Sequence, residues 1–280
     1  MARIDKSLNN SVEQRKLVCE NLSFAASEAY KLLRANLTFA LADKNKTPVV
    51  GITSATRGEA KTTTAINLAY TVAETGKKVL LIDGDMRLPN VARVLQMEKS
   101  PGLSNVIAGL NSINEAIRET GAQNKWYVLP AGDVPPNPSE LLNSEGFINF
   151  IATVRADYDY IIFDLPPVGI VSDALVAAQT IDGLIVVTRQ DYSSRKGLDQ
   201  CITQLTPLKE KVLGIVMTDA TKNDKGRYYG KNKYRSYSKY YESGYGYGYG
   251  YYGKSKSRGK KRKGETKTET KVETKTEAEK

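Results

Sequence analysis

The chain has 280 residues, 40% of them hydrophobic and 26% charged, with a formal net charge of +10, two cysteines and no histidine. The lack of histidine excludes His-based metal centres and His general bases, so acid–base chemistry falls to carboxylates, lysines or tyrosines. No run of 18 apolar residues marks a membrane span and no apolar N-terminal segment reads as a signal peptide, while Cys19 and Cys201 form no C-x-x-C pair and suit a reducing cytosol.

The charge is unevenly spread. Residues 1–221 carry 23 Lys/Arg and 24 Asp/Glu, whereas residues 222–280 carry 18 and 7, so the tail alone is +11. The basic character belongs to an appendage, and no nucleic acid is expected as a partner of the body.

In chain order, residues 1–21 are polar and read as an irregular lead-in. Phe24 to Leu41 has apolar residues at helical spacing without Gly or Pro, which predicts one amphipathic helix. Strand-like runs follow at Val49–Ser54, Lys78–Asp83, Trp126–Leu129, Tyr160–Asp164, Gly183–Thr188 and Val212–Thr218. Helical patterns separate them at Thr62–Thr75, Asn90–Leu95, Ser139–Arg155, Ser172–Gln179 and Ser193–Leu205. Nearly all-apolar strands alternating with helices predict an α/β fold with a mostly parallel sheet covered by helices on both faces. Ligands of such sheets sit beyond the C-terminal strand ends.

After Ala220 the composition changes. Eleven of the 17 tyrosines lie between Tyr228 and Tyr252, among Gly, Ser and Lys, and the end is a Glu/Thr/Lys repeat. Such a segment cannot bury a core, so the tail is read as disordered. Basic and aromatic interleaving also suits single-stranded nucleic acid, and Lys254–Lys263 suits anionic lipid.

Three motifs end strands. The first runs from Ile52 through Ser54, Arg57, Gly58, Glu59 and Ala60 to Lys61-Thr62-Thr63, then into a helix. This is the layout of a phosphate-binding P-loop: backbone N–H groups face the anion, Lys61 neutralises it and Thr62 reaches a metal. Ala55 and Ala60 stand where the usual pattern has glycine. The second is Asp83-Gly84-Asp85 after Val79–Ile82, and the third is Asp164-Leu165-Pro166-Pro167 after Tyr160–Phe163. Beside a P-loop, these carboxylates supply hard-cation ligands and a group to orient or deprotonate a nucleophile. Arg87 reads as a phosphate or interface arginine, or as a surface residue.

Together these motifs resemble the bacterial tyrosine kinases of the capsular and exopolysaccharide type, in the free-standing cytoplasmic form of Gram-positive bacteria. That family carries a modified Walker A, a Walker A′ of the form Asp-x-Asp, a Walker B ending in Asp-x-Pro-Pro, and a C-terminal tyrosine cluster. The resemblance extends to Glu28–Arg34, to Leu129–Gly132 with Pro135–Leu142, and to Ser172-Asp173-Ala174. It covers about residues 22–252.

The resemblance implies a P-loop NTPase-type domain over 22–221, a tyrosine cluster over 222–253 and a basic Glu/Thr/Lys tail over 254–280. It implies ATP and Mg²⁺ as cofactors, with the loop Ser54–Thr63 on the phosphates, Lys61, Asp83, Asp85 and Asp164 as catalytic residues, and Thr62, Asp85 and Asp164 at the metal. Asp83 would be the base or orienting group for the incoming hydroxyl. Tyr228, Tyr229, Tyr234, Tyr237, Tyr240, Tyr241, Tyr245, Tyr247, Tyr249, Tyr251 and Tyr252 would be acceptors, modified in trans. Glu28, Lys31 and Arg34 occupy the family's ring-forming Glu-x-x-Arg-x-x-Arg positions, with Lys31 replacing an arginine. The usual adenine-side Asn is missing from Val216–Asp219.

The implied partners are a transmembrane polysaccharide co-polymerase of the chain-length type, which would recruit the cytoplasmic chain to the inner face of the membrane, further copies in a ring, and a cognate tyrosine phosphatase. The Walker motifs alone also fit a deviant-Walker partitioning-type ATPase whose nucleotide cycle controls dimerisation or positioning.

Overall fold

The computed structural model describes residues 18–41, 46–120 and 126–220. The expected tyrosine cluster, basic tail and most of the lead-in lie outside the described residues.

Seven strands form one sheet in the order β3-β4-β2-β5-β1-β6-β7. They are β1 (Val49–Ser54), β2 (Val79–Asp83), β3 (Arg118–Glu119), β4 (Trp126–Leu129), β5 (Tyr160–Asp164), β6 (Gly183–Arg189) and β7 (Val212–Thr218). All neighbours are parallel except the short edge strand β3, antiparallel to β4. Strands β1, β2 and β5 are buried throughout, as their apolar sequences require of strands covered on both faces.

Successive side chains feed two cores. Leu80 and Ile82, with Ile161 and Phe163, point to one; Leu81 and Ile162 point to the other. The first core is closed by α6 (Pro138–Leu142), α7 (Glu145–Asp157), α8 (Asp173–Ala177) and α9 (Arg195–Leu205), and the second by α1 (Phe24–Ala40), α2 (Lys61–Ala73) and α3 (Val91–Leu95). Val18, at the end of the lead-in, is buried in the second core.

The pattern over Ser139–Arg155, read as one helix, is two. Ser144 breaks it, its side chain accepting from Phe147 N as the N-cap of α7. Helices α4 (Leu103–Ile107) and α5 (Ile113–Ala116) were not anticipated. Helix α4 is held from afar: Leu103 N donates to Pro130 O at 2.7 Å and Ser104 N to Ala131 O at 2.9 Å.

Burial pushes the Cys19 thiol up to about 12 and the Cys201 thiol up to about 11, so neither is a poised nucleophile.

Candidate active site

The three motifs meet at the C-terminal ends of β1, β5 and β2. Strand β5 lies between the other two, Asp83 is the register partner of Asp164, and Ile52 is paired with Asp164 from the other side. The carboxylates that end two separate strands are thereby neighbours, flanked by the loop that leaves β1.

Gly84 makes the Asp83–Asp85 turn feasible. A Cβ there would stand 2.6 Å from the Phe163 ring, so any side chain would push the turn off β5. Asp83 is fully buried and accepts from Asp85 N at 3.2 Å and from Asn90 N and Val91 N at 3.0 Å each, which fixes its carboxylate against the start of α3. Asp85 accepts from Leu88 N at 3.1 Å.

Lys61 opens α2 and bridges the two acidic strand ends, 3.0 Å from Asp85 Oδ2 and 3.4 Å from Asp164 Oδ1. Thr62 Oγ1 donates to Asp164 Oδ2 at 2.6 Å. One ammonium thus serves three buried aspartates, and the imbalance shows in their acidity. Burial, reinforced by the Asp164 charge, pushes Asp83 up to about 7, while Lys61 and the Val91 N–H oppose it. Burial also raises Asp164, against Lys61 and Thr62. For Lys61 burial works downward, but Asp164, Asp85 and Asp83 outweigh it and hold the ammonium charged.

The Thr62 hydroxyl with Asp85 and Asp164 is a set of hard oxygen donors that fits Mg²⁺, an ion that takes few protein ligands and keeps several waters. Among the described residues, no group of three or more His, Cys, Asp or Glu side chains is placed to hold a metal ion by itself.

The family of AAA domains matches residues 47–216. Tyrosine-protein kinase YwqD of Bacillus subtilis is 37% identical over 206 residues, which span 73% of this chain and 86% of that one. The chain belongs to the bacterial tyrosine kinases. The kinase domain of Escherichia coli tyrosine kinase ETK has the same fold, with a TM-score of 0.69 at 30% identity over 75% of this chain and 81% of that one. A more distant structure, the septum site-determining protein MinD of Pyrococcus horikoshii in complex with Mg-ADP, has a TM-score of 0.52 at 28% identity, covering 61% and 70%.

Seen as a kinase loop, the segment after β1 has a departure with a physical cost. Ala60 adopts φ 68° and ψ 27°, the left-handed conformation that glycine takes freely. Glu59 is buried and turned inward: it accepts from Thr56 N at 2.7 Å and from the Ser193 hydroxyl. Ser54 Oγ donates to Thr56 O at 2.7 Å. Ser54 and Glu59 therefore shape the loop, Arg57 and Gly58 are exposed at its crest, and Thr63 is half-buried in the first turn of α2.

Sequence reasoning missed the residues that hold this loop from behind. Arg189 Nη1 donates to Gly58 O at 3.2 Å, Tyr192 Oη to Arg57 O at 3.1 Å, and Thr218 Oγ1 to Glu59 O at 3.1 Å. They come from the ends of β6 and β7, and no local motif marks them. Arg87, left open by the sequence, makes a two-point contact with buried Asp173, at 2.8 and 3.0 Å, and Ser139 donates to the same carboxylate. That contact ties the Asp83–Asp85 turn to the starts of α6 and α8.

On α1, Lys31 pairs with Glu28 at 2.8 Å and Arg34 donates to Thr71 O on α2. Within one chain these three residues are engaged along the helix and against its neighbour.

Proposed function

We propose that the chain is an ATP- and Mg²⁺-dependent protein tyrosine kinase that phosphorylates its own C-terminal tyrosine cluster in trans. The observation that carries the reading is the packing of Asp83, Asp85 and Asp164 around Lys61 and Thr62 at adjacent strand ends. The Mg-ADP in the MinD structure supports a nucleotide in the same loop here.

Mg²⁺, when bound, would be held by Thr62, Asp85 and Asp164 and would neutralise charge that develops on the phosphates. The backbone of Ser54–Thr63 would hold the phosphates, with Lys61 drawn to them from its carboxylates. The hydroxyl oxygen of the acceptor tyrosine attacks the γ-phosphorus. Its bond forms as the γ-phosphorus–oxygen bond to ADP breaks, and the phenol proton passes to Asp83. A carboxylate held at about 7 is suited to that task near neutral pH. Arg87, through Asp173, keeps the Asp83–Asp85 turn in place.

Residues 22–221 would form the kinase domain and 222–253 the acceptor cluster. The function extends to control of capsule or exopolysaccharide synthesis and export with a transmembrane co-polymerase-type adaptor, which brings the chain to the inner membrane face. A ring of copies would use Glu28, Lys31 and Arg34 between subunits. A cognate phosphatase would reset the cycle.

The test is phosphotyrosine formation by purified protein with Mg-ATP, with and without the adaptor's cytoplasmic tail. A chain ending at Thr221 should lose nearly all incorporation while still binding ATP. Release of ADP with no phosphotyrosine in either condition would favour the partitioning-type ATPase that the MinD likeness keeps in view.

A further inference from the structure

Tyr192 differs from every other described tyrosine. Tyr158 and Tyr160 are buried, Tyr30, Tyr70 and Tyr127 are half-buried, and Tyr192 is 56% exposed. Its position is as unusual as its exposure. The hydroxyl donates to Arg57 O at 3.1 Å, and a Cβ added to Gly58 would stand 2.8 Å from it. The Arg189 guanidinium lies 5.2 Å from the ring centroid and itself donates to Gly58 O. The next residue, Ser193, donates to Glu59. One exposed tyrosine thus rests on the crest of the phosphate-binding loop and belongs to the clasp that shapes it.

Its sequence surroundings match those of the tail. On its C-terminal side Tyr192-Ser193-Ser194-Arg195-Lys196 has the same small and basic neighbours as Tyr237-Ser238-Lys239 and Tyr234-Arg235-Ser236, while Asp191 precedes it. Basic flanks complement an acceptor site in which three aspartates share one lysine.

We propose that Tyr192 is an autophosphorylation site in the body of the chain, and that its phosphate weakens nucleotide binding by the chain that carries it. The inference rests on the kinase reading above. A second copy would carry out the transfer: the Tyr192 oxygen bonds to the γ-phosphorus of that copy's ATP, ADP leaves, and the phenol proton goes to that copy's Asp83. The product has no hydroxyl to donate to Arg57 O. It adds a charge of about −1.5 to −2 beside the loop that must hold a triphosphate. It also draws Arg189 away from Gly58 O, so the clasp loses two contacts as like charges are brought together. A chain modified at Tyr192 would be switched off as a kinase while its tail stays an acceptor.

The experiment uses the full chain and its Tyr192→Phe variant. Each is incubated with Mg-ATP to completion and freed of nucleotide, its sites are mapped by mass spectrometry, and its affinity for a fluorescent ADP is measured before and after. Phosphate on Tyr192, with a rise in Kd of about tenfold or more in the unsubstituted chain and none in Tyr192→Phe, is the expected result. Phosphate in the tail but not on Tyr192 overturns the inference and leaves the kinase reading standing. So does an equal change in Kd in both proteins. No phosphotyrosine anywhere, with or without the adaptor's cytoplasmic tail present, removes the kinase reading and this inference with it.

Discussion

Asp182, beneath the N-terminal ends of β1 and β6, faces two cations, Lys46 at 2.8 Å and Arg155 at 2.7 Å, and accepts from Val49 N at 2.9 Å. At the opposite ends of the central strands, Asp83, Asp85 and Asp164 share the single ammonium of Lys61. Burial acts on both groups in the same direction, yet their acidities diverge. Arg155, Lys46 and the Val49 N–H overcome burial and hold Asp182 down at about 2, whereas Asp83 stands at about 7. The difference is the deeper burial of Asp83 together with charge balance. One end of the sheet is electrostatically complete and locks the strands together. The other is left short of positive charge, which suits the proposed site for a divalent cation and a transferred proton.

The largest effect expected from disturbing this contrast is on phosphoryl transfer. Lys61→Met removes the proposed charge stabilisation at the phosphates, and Asp83→Asn removes the proposed proton acceptor; each should lower autophosphorylation by about 100-fold or more. Asp83→Asn should still bind Mg-ATP, measurable by calorimetry. Full activity in either variant would sink the site assignment.

At the balanced end the effect should be on stability instead. Asp182→Asn strands Arg155 and Lys46, and should cost about 3 kcal/mol in denaturant unfolding. A loss under about 0.5 kcal/mol would show that the clamp is incidental.

Changing pH should move the two ends in opposite directions. Asp182 is lowered in the folded state, so its contribution to stability is present above about pH 4 and lost as pH falls toward 2. Asp83 is raised, so its contribution is fully present below about pH 4 and lost as pH climbs through 7. Unfolding midpoints measured without nucleotide or Mg²⁺ should show both slopes, the first diminished in Asp182→Asn and the second diminished in Asp83→Asn, where the raised Asp164 still contributes.

The smallest effect concerns the loop between the acidic strand ends. Ala60→Gly relieves a left-handed alanine and should stabilise the chain by about 1 kcal/mol. A destabilised variant would show that the alanine conformation is not under strain.

Much of this was legible in the chain itself. The limits of β1, β4 and β5 fall where apolar runs begin and end, because a buried strand tolerates no polar interruption; the apolar run of β7 matches its limits too, although that strand is partly exposed. Helix α4 was not legible, since it is anchored by the carbonyls of Pro130 and Ala131 rather than by its own short sequence, whereas α5, though not anticipated, carries a readable Ser112/Glu115 capping box. The clasp of Arg189, Tyr192 and Thr218 was hidden for the same reason: its partners are backbone carbonyls of a distant loop, which leave no mark in sequence.

The sequence by itself determined that aspartates would end two buried strands and that Lys61-Thr62 would open a helix after a third, because local apolar runs and a polar loop suffice to specify them. Only the tertiary structure decided that β5 would lie between β1 and β2, so that Asp164 would stand beside Asp83, with Asp164 and Asp85 both within reach of Lys61. The high pKa of Asp83 follows first from its burial and then from that arrangement, since the cost of burying a charge also depends on which charges the fold brings next to it.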